Sequence, residues 1–464
     1  MRTLACLAAL ALASPAAERY RVDWARLNPE IVERLSELVR LDTANPPGNE
    51  TRAAKAVQAV LEREGIPAAL FASDPARANL VARIRGNGSK RPLLLLGHTD
   101  TVGVERARWS VDPFAAIRRN GFLYGRGAVD DKDHVTAGMM VMLLLKRLNV
   151  KLDRDVIFVA EAGEEGSTSV GIDFLVNSHW NEIAAEYALA EGGSGVEFQG
   201  RVRYLLVATT EKVPRGFRLV ARGPSGHGSR PTAQNAVLRL ASAVARVGAW
   251  QAPMRLNDTT REYFRRLAEV SPPEQAARYR ALLDAARAPA ADRYLAEREP
   301  GNHTLLRTSV APTMIRGGFR ANVIPSEAEA YLDVRALPDE DMAAFAGELR
   351  RVIGDPAVEV VPAPGGRPVA PPSRVDSEMF RALERVGRRI FPGSITIPAM
   401  LAGATDNAQL RARGVEAYGV GPVVSSADGA SGGAHADDER IAVRSLEKLV
   451  QFLWLAVLEV AASP

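Results

Sequence analysis

The chain has 464 residues, more than a single hydrophobic core ordinarily organises, so two domains are expected. Its 47% hydrophobic and 25% charged residues are the composition of a globular protein rather than of a disordered or membrane-embedded one. The net charge is only +4, and no run of Lys and Arg with interleaved aromatics stands out, which argues against nucleic acid as a partner.

Residues 1–17, MRTLACLAALALASPAA, join one Arg to a short Leu/Ala run and then to small residues. This is the shape of a secretory signal, too short to span a bilayer, and it predicts a periplasmic or secreted protein. The single cysteine, Cys6, lies inside it, so the mature chain would fold without a disulfide. Asp23 to Val39 is amphipathic at helical spacing, Asp42 to Pro47 is a turn-rich loop, and a second helix is expected from about Glu50 to Glu64. After a strand at Asn79 to Ile84 comes Leu93 to Asp100, LLLLGHTD, whose four leucines predict a central parallel strand buried on both faces. In open α/β sheets functional groups collect at the carboxyl ends of strands, and here His98 stands two residues before Asp100. A metal-ligating imidazole needs its second nitrogen held, and Asp100 is placed to do that.

The glycines of Gly121 to Asp133, GFLYGRGAVDDKD, permit a tight loop before a buried helix from Val135 to Leu148. Asp130 and Asp131 fall at the start of that helix, where helix capping alone would explain them. A buried strand at Asp155 to Ala160 runs into Glu161 to Ser167, EAGEEGS, and a third, Tyr187 to Ala190, ends in Glu191. Adjacent carboxylates are costly to crowd together without a compensating cation or proton. Three strands that each end in a potential metal ligand form a pattern that an isolated loop acid would not.

The rhythm changes near Val213. A strand from Arg215 to Ala221, the loop Gly223 to Pro231 with His227, a helix from Asn235 to Ala249, strands at Ser309 to Ile315 and Glu327 to Arg335, and a helix from Asp339 to Val352 suggest a βαββαβ unit. Residues Gln251 to Pro300 read as a helical insertion, and Pro362 to Pro372 as the return linker. The remainder holds a helix (Asp376 to Ile390), a loop (Gly403 to Asp406), a strand (Val415 to Val420), His435 within GGAHADDER, and a final helix (Ser445 to Ala461). Of the six histidines, His98, His227 and His435 sit in Gly-flanked settings; His134, His179 and His303 read as surface or packing residues.

The ordered set GHTD, GRGAVDDK, EAGEEGS, LAEGG, GPSGHGSRP, ANVIP with DVR, GATD and GGAHA resembles the di-zinc exopeptidase and deacylase family of acetylornithine deacetylase, succinyl-diaminopimelate desuccinylase, glutamate carboxypeptidase and carboxypeptidase S. The likeness covers essentially everything after the signal. It implies a three-layer α/β zinc-exopeptidase catalytic domain, residues 18–212 and 373–464, with an inserted α+β, ferredoxin-like lid and dimerisation domain at 213–364. By that resemblance His98 and Glu191 would hold one zinc, Glu165 and His435 the other, and Asp130 would bridge them; manganese or cobalt could take their place. Asp100 would orient His98, Glu164 would be the general base, and a cis peptide would follow Asp130. His227 would reach the partner's site in a homodimer, and Asn322 and Arg335 would hold the substrate's carboxylate. One departure is Gly163, where many members carry an acid. The implied activity is hydrolysis of an amide next to a free carboxylate in a small peptide, by a carboxypeptidase or dipeptidase; the alternative is an N-acyl-amino-acid deacylase, with the N-acyl amino acid as substrate.

Overall fold

The computed structural model describes residues 15–425 and 433–463; the first fourteen residues of the expected signal, and Gly432 of the GGAHA motif, lie outside them. The chain divides into two compact units: Met1–Thr209, Ser373–Pro398 and Thr405–Pro464 form the first, and Thr210–Pro372 with Ala399–Ala404 the second. The short return, residues 399–404, is tied to its unit where Lys212 N–H donates to the Leu401 carbonyl at 2.9 Å.

The first unit is built on a mixed sheet. Its centre is four parallel strands in the order Val156–Glu161, Leu93–His98, Tyr187–Ala190, Glu416–Gly419. Every residue of Leu93–His98 and of Val156–Glu161 is buried, as continuous apolar runs require. Side chains still alternate between faces. Leu93 and Leu95, with Val156, Phe158 and Ala160, pack under the helices Trp24–Val39, Thr51–Arg63, Lys132–Arg147, Glu378–Ile390 and Val443–Ala461. Leu94, Leu96, Ile157 and Val159 face the opposite layer, which includes Ile172, Leu175 and Leu410. The result is a three-layer α/β sandwich whose parallel strands all end at one edge, and the register pairs His98 with Glu161 there. Gly97 permits that edge to meet the following helix: a Cβ on it would lie 2.9 Å from the Val135 nitrogen.

The second unit carries a four-stranded antiparallel sheet in the order Ser309–Gly317, Glu327–Ala336, Val213–Arg222, Val358–Pro362. In chain order this is the 2-3-1-4 arrangement of a ferredoxin-like βαββαβ unit, with the helices Ala236–Ala249 and Met342–Ile353 packed on one face through Leu240, Val247, Phe345 and Leu349. Between its first helix and second strand the insertion is helical, with Asp258–Val270, Pro273–Ala281 and Ala288–Arg298 as its main elements. No helix among the described residues is long and apolar enough to cross a membrane.

Candidate metal centre

The carboxyl edge of the central sheet gathers two groups of ligand atoms, each within 4.8 Å of one another: His98, Asp130 and Glu191, and Asp130, Glu165 and His435. Asp130 belongs to both. Its Oδ1 lies 3.0 Å from His98 Nε2, and its Oδ2 lies 3.1 Å from His435 Nε2. His435 Nε2 is also 2.9 Å and 3.1 Å from the two oxygens of Glu165. The Asp130–Asp131 peptide is cis, as the resemblance implies.

Three of the ligands are held from behind. His98 is 1% exposed; its Nδ1 lies 3.1 Å from the Asp100 carbonyl oxygen and 3.5 Å from Asp100 Oδ1, so the main chain is the nearer acceptor. The buried Asp100 carboxylate instead collects the EAGEEGS loop. Its Oδ1 accepts from Gly163 N–H (2.9 Å) and Glu164 N–H (3.1 Å), and its Oδ2 from Glu165 N–H (3.1 Å) and Asn45 Nδ2 (2.9 Å). Gly163 suits this loop because its φ is +82° and a Cβ there would meet the Ser167 carbonyl oxygen at 2.4 Å. The loop bearing His435 is fixed by a buried ion pair. Arg126 Nη1 donates to Glu439 Oε2 at 2.6 Å and to the Ala436 carbonyl at 3.2 Å, while Glu439 Oε1 accepts from Val129 N–H at 2.9 Å.

The electrostatics follow from so many acids in one place. Hydrogen bonds to Asp130 and then Glu165 raise the His435 imidazole to about 10. Burial opposes charge on His98, yet its bonds to Asp100 and Asp130 push it well above the usual value. Glu191 is driven far up by burial and by the charge of Asp131, and Glu161 by burial and by Asp406. Imidazoles raised this far mark a concentration of negative charge that a divalent cation would compensate. Imidazole and carboxylate donors without thiolate suit zinc, manganese or cobalt.

The other predicted residues lie in the second unit. His227 ends the strand Gly226–His227, which pairs with Val323–Ile324, and Gly228 N–H donates to the Asn322 carbonyl at 2.8 Å, so His227 and Asn322 share one exposed platform. Arg335 is half-buried on Glu327–Ala336, with Nε donating to Asp333 Oδ1 at 3.0 Å. Sequence reasoning missed Asn45, Arg126 and Glu439, and it gave Asp131 only a capping role and His134 only a surface or packing one. Asp131, Asp133 and His134 form a third, fully buried group below the edge. The one signal for them was their place beside Asp130.

A family model described as peptidase family M20/M25/M40 matches residues 94–459. The chain belongs to this family. As a member of M20/M25/M40 it is a metallohydrolase. It is 28% identical over 381 residues to the human N-fatty-acyl-amino acid synthase/hydrolase PM20D1, covering 79% of this chain and 73% of that protein. It is also 28% identical over 376 residues to the probable carboxypeptidase S-like 2 of Dictyostelium discoideum, covering 79% and 71%. Its fold is similar to that of the M20 family metallo-carboxypeptidase Sso-CP2 of Sulfolobus solfataricus, with a TM-score of 0.68 at 19% identity over 93% of this chain and 99% of that one.

Proposed function

We propose that this chain hydrolyses an amide bond adjacent to a free carboxylate, as a carboxypeptidase or dipeptidase, using two zinc ions. The observation that carries the reading is the position of Asp130 in both ligand groups. In this reading His98 and Glu191 hold one ion, Glu165 and His435 the other, and Asp130 both. Two ions so held supply Lewis acidity to a scissile carbonyl and lower the pKa of a water. Glu164, its backbone N–H fixed by Asp100, takes the proton from the attacking water and delivers it to the leaving nitrogen. Asn322 and Arg335 hold the substrate's carboxylate, the guanidinium bidentately. His227 stabilises the oxyanion in the site of a partner subunit.

A homodimer is supported by the edge strand Ser309–Gly317. Met314 and Ile315 on it, Phe319 just beyond it and Leu238 on the neighbouring helix are 51%, 60%, 83% and 56% exposed, apolar side chains gathered along an unpaired sheet edge. The Leu/Ala stretch at residues 1–17 supports export, to a periplasm or the medium, and scavenging of small peptides there.

A second reading, an N-acyl-amino-acid hydrolase, is favoured by the human N-fatty-acyl-amino acid relative. It uses the same residues. Both are tested with zinc-loaded protein on dipeptides, N-acyl amino acids of short and long acyl chain, and carboxyl-amidated forms of each. A kcat/KM at least about tenfold higher for dipeptides, ~1.4 kcal/mol of transition-state preference, supports the first reading and the reverse the second. Equal rates on amidated substrates would sink both.

A further inference from the structure

The sequence DDKDH places His134 four residues after Asp130, in the first turn of the helix Lys132–Arg147. Asp131 stands at the cap position of that helix, yet its side chain makes no capping bond. Its carboxylate is used in two other directions. Oδ2 accepts from the backbone N–H of His98 at 3.1 Å, and Oδ1 lies 2.7 Å from His134 Nδ1. On the far side of the ring, His134 Nε2 lies 3.0 Å from the Val420 carbonyl oxygen.

These contacts orient the ring. A carbonyl oxygen only accepts, so Nε2 carries a hydrogen; Nδ1 lies within ion-pair distance of Asp131 Oδ1, 2.7 Å away, but off the line of a hydrogen bond. Any positive charge on the ring is enclosed with Asp131 and Asp133, all three residues being at most 4% exposed. Asp133 adds a second anion, its Oδ1 accepting from His134 N–H at 3.0 Å and lying 3.5 Å from Nδ1. Burial disfavours this charge, but the fields of Asp131 and Asp133 outweigh it and raise His134 well above an ordinary histidine. Val420 carries the link onward. Its N–H donates to the Ala190 carbonyl at 2.8 Å, and its carbonyl accepts from Gly193 N–H at 3.2 Å, so the strand end bracketing Glu191 hangs on the residue that His134 grips.

We propose that His134 is a positioning residue of the metal centre, a clamp that joins Asp131 to Val420 and so holds His98 and Glu191, two ligands of one ion, in register. This rests on the two-ion reading above. Glu165 and His435 are secured by different groups, the Asp100 carboxylate and the Arg126–Glu439 pair. The clamp's own contacts therefore reach the His98–Glu191 ion directly, and the other ion only through the shared Asp130.

The test is a zinc titration of the full chain by calorimetry, with thermal melts alongside. With His134 and Asp131 unchanged, Glu191→Gln and Glu165→Gln should abolish different binding steps, which assigns each step to its ligand group. His134→Gln should then weaken the His98–Glu191 step by about 10- to 100-fold, the usual effect of removing a residue that orients a metal ligand, and leave the other within about threefold. Because His134→Gln strands Asp131, a second variant, Asp131→Asn with His134→Asn, replaces the pair by neutral amides too short to reach Val420 and should show the same selective loss. A lower melting temperature with both steps unchanged, or an equal loss in both, would overturn the clamp. So would a third equivalent of metal bound by the unaltered protein and lost in His134→Gln. A titration with fewer than two steps, or with both glutamate variants removing the same step, would overturn the two-ion reading itself.

Discussion

Asp100→Asn is the substitution whose effect the structure specifies most closely. The carboxylate is fully buried and accepts four hydrogen bonds, three from consecutive loop amides and one from Asn45. An asparagine has one oxygen to offer. Oriented toward Gly163 and Glu164, it presents its NH2 to Glu165 N–H and to Asn45. The Asn45 amide can turn its own carbonyl to meet it, but Glu165 N–H is left without an acceptor at a cost of about 1–3 kcal/mol. The two retained bonds change from a charged to a neutral acceptor and lose about 1 kcal/mol each. Relief of the burial cost, which opposes the charged form of Asp100, returns part of this. A net loss of about 3 kcal/mol remains, a factor of roughly 10² in how often the loop leaves its folded state. Hydrogen exchange at Gly163, Glu164 and Glu165 should accelerate by that factor in metal-free protein, while the amides of Leu93–His98 keep their protection. If those three amides exchange within about threefold of the unaltered protein, the carboxylate does not hold the loop and the argument fails.

The neighbouring glutamates should separate cleanly. Glu164→Gln should keep both metals and lose about 10²- to 10⁴-fold in kcat, whereas Glu165→Gln should lose metal, as read by metal analysis beside kinetics. The opposite pattern would swap their roles. Arg335→Ala should cost roughly 2–5 kcal/mol in kcat/KM on substrates with a free carboxylate and almost nothing on amidated ones. Mixing inactive His227→Ala with inactive Glu164→Gln should restore some activity through hybrid dimers, and none should return if each subunit is self-sufficient. Metal loading should release protons at pH 7 to 8. The His435 imidazole, at about 10 in the metal-free chain, is charged there and must give up its proton to bind, so affinity should rise with pH toward that value. Calorimetry in buffers of different ionisation enthalpy measures the release, and none would contradict the assignment.

The ligand set was legible because buried parallel strands leave continuous apolar runs, and the residue after each run falls at the sheet edge. Leu93–His98, Val156–Glu161 and Tyr187–Ala190 announce themselves this way. The strand Ile395–Leu401 does not, since Pro398 interrupts it with a residue that cannot donate to a ladder. What held the ligands was hidden by distance. Glu439 looks like part of an exposed acidic run with Asp437 and Asp438, and only the fold brings it to Val129, 310 residues earlier. His134 has no glycine beside it, and nothing in its own neighbourhood says that Val420 lies opposite. Asp100 could be paired with His98 from spacing alone, but its hold on three amides of a later loop depends on the approach of Val156–Glu161 to Leu93–His98.

The order of the central strands bears on how the protein is made. Glu416–Gly419 lies between Tyr187–Ala190 and Arg201–Glu211, so a growing chain that has completed the early strands presents a bare, apolar sheet edge until a segment more than 200 residues downstream is synthesised. At translation rates of about 5–20 residues per second that interval lasts roughly 10–50 s, long enough for strand-to-strand association with other chains. Ribosome-stalled or prematurely terminated products would thus be substrates for chaperones and proteases rather than partly active enzymes, since His435 itself follows Glu416–Gly419 in the chain.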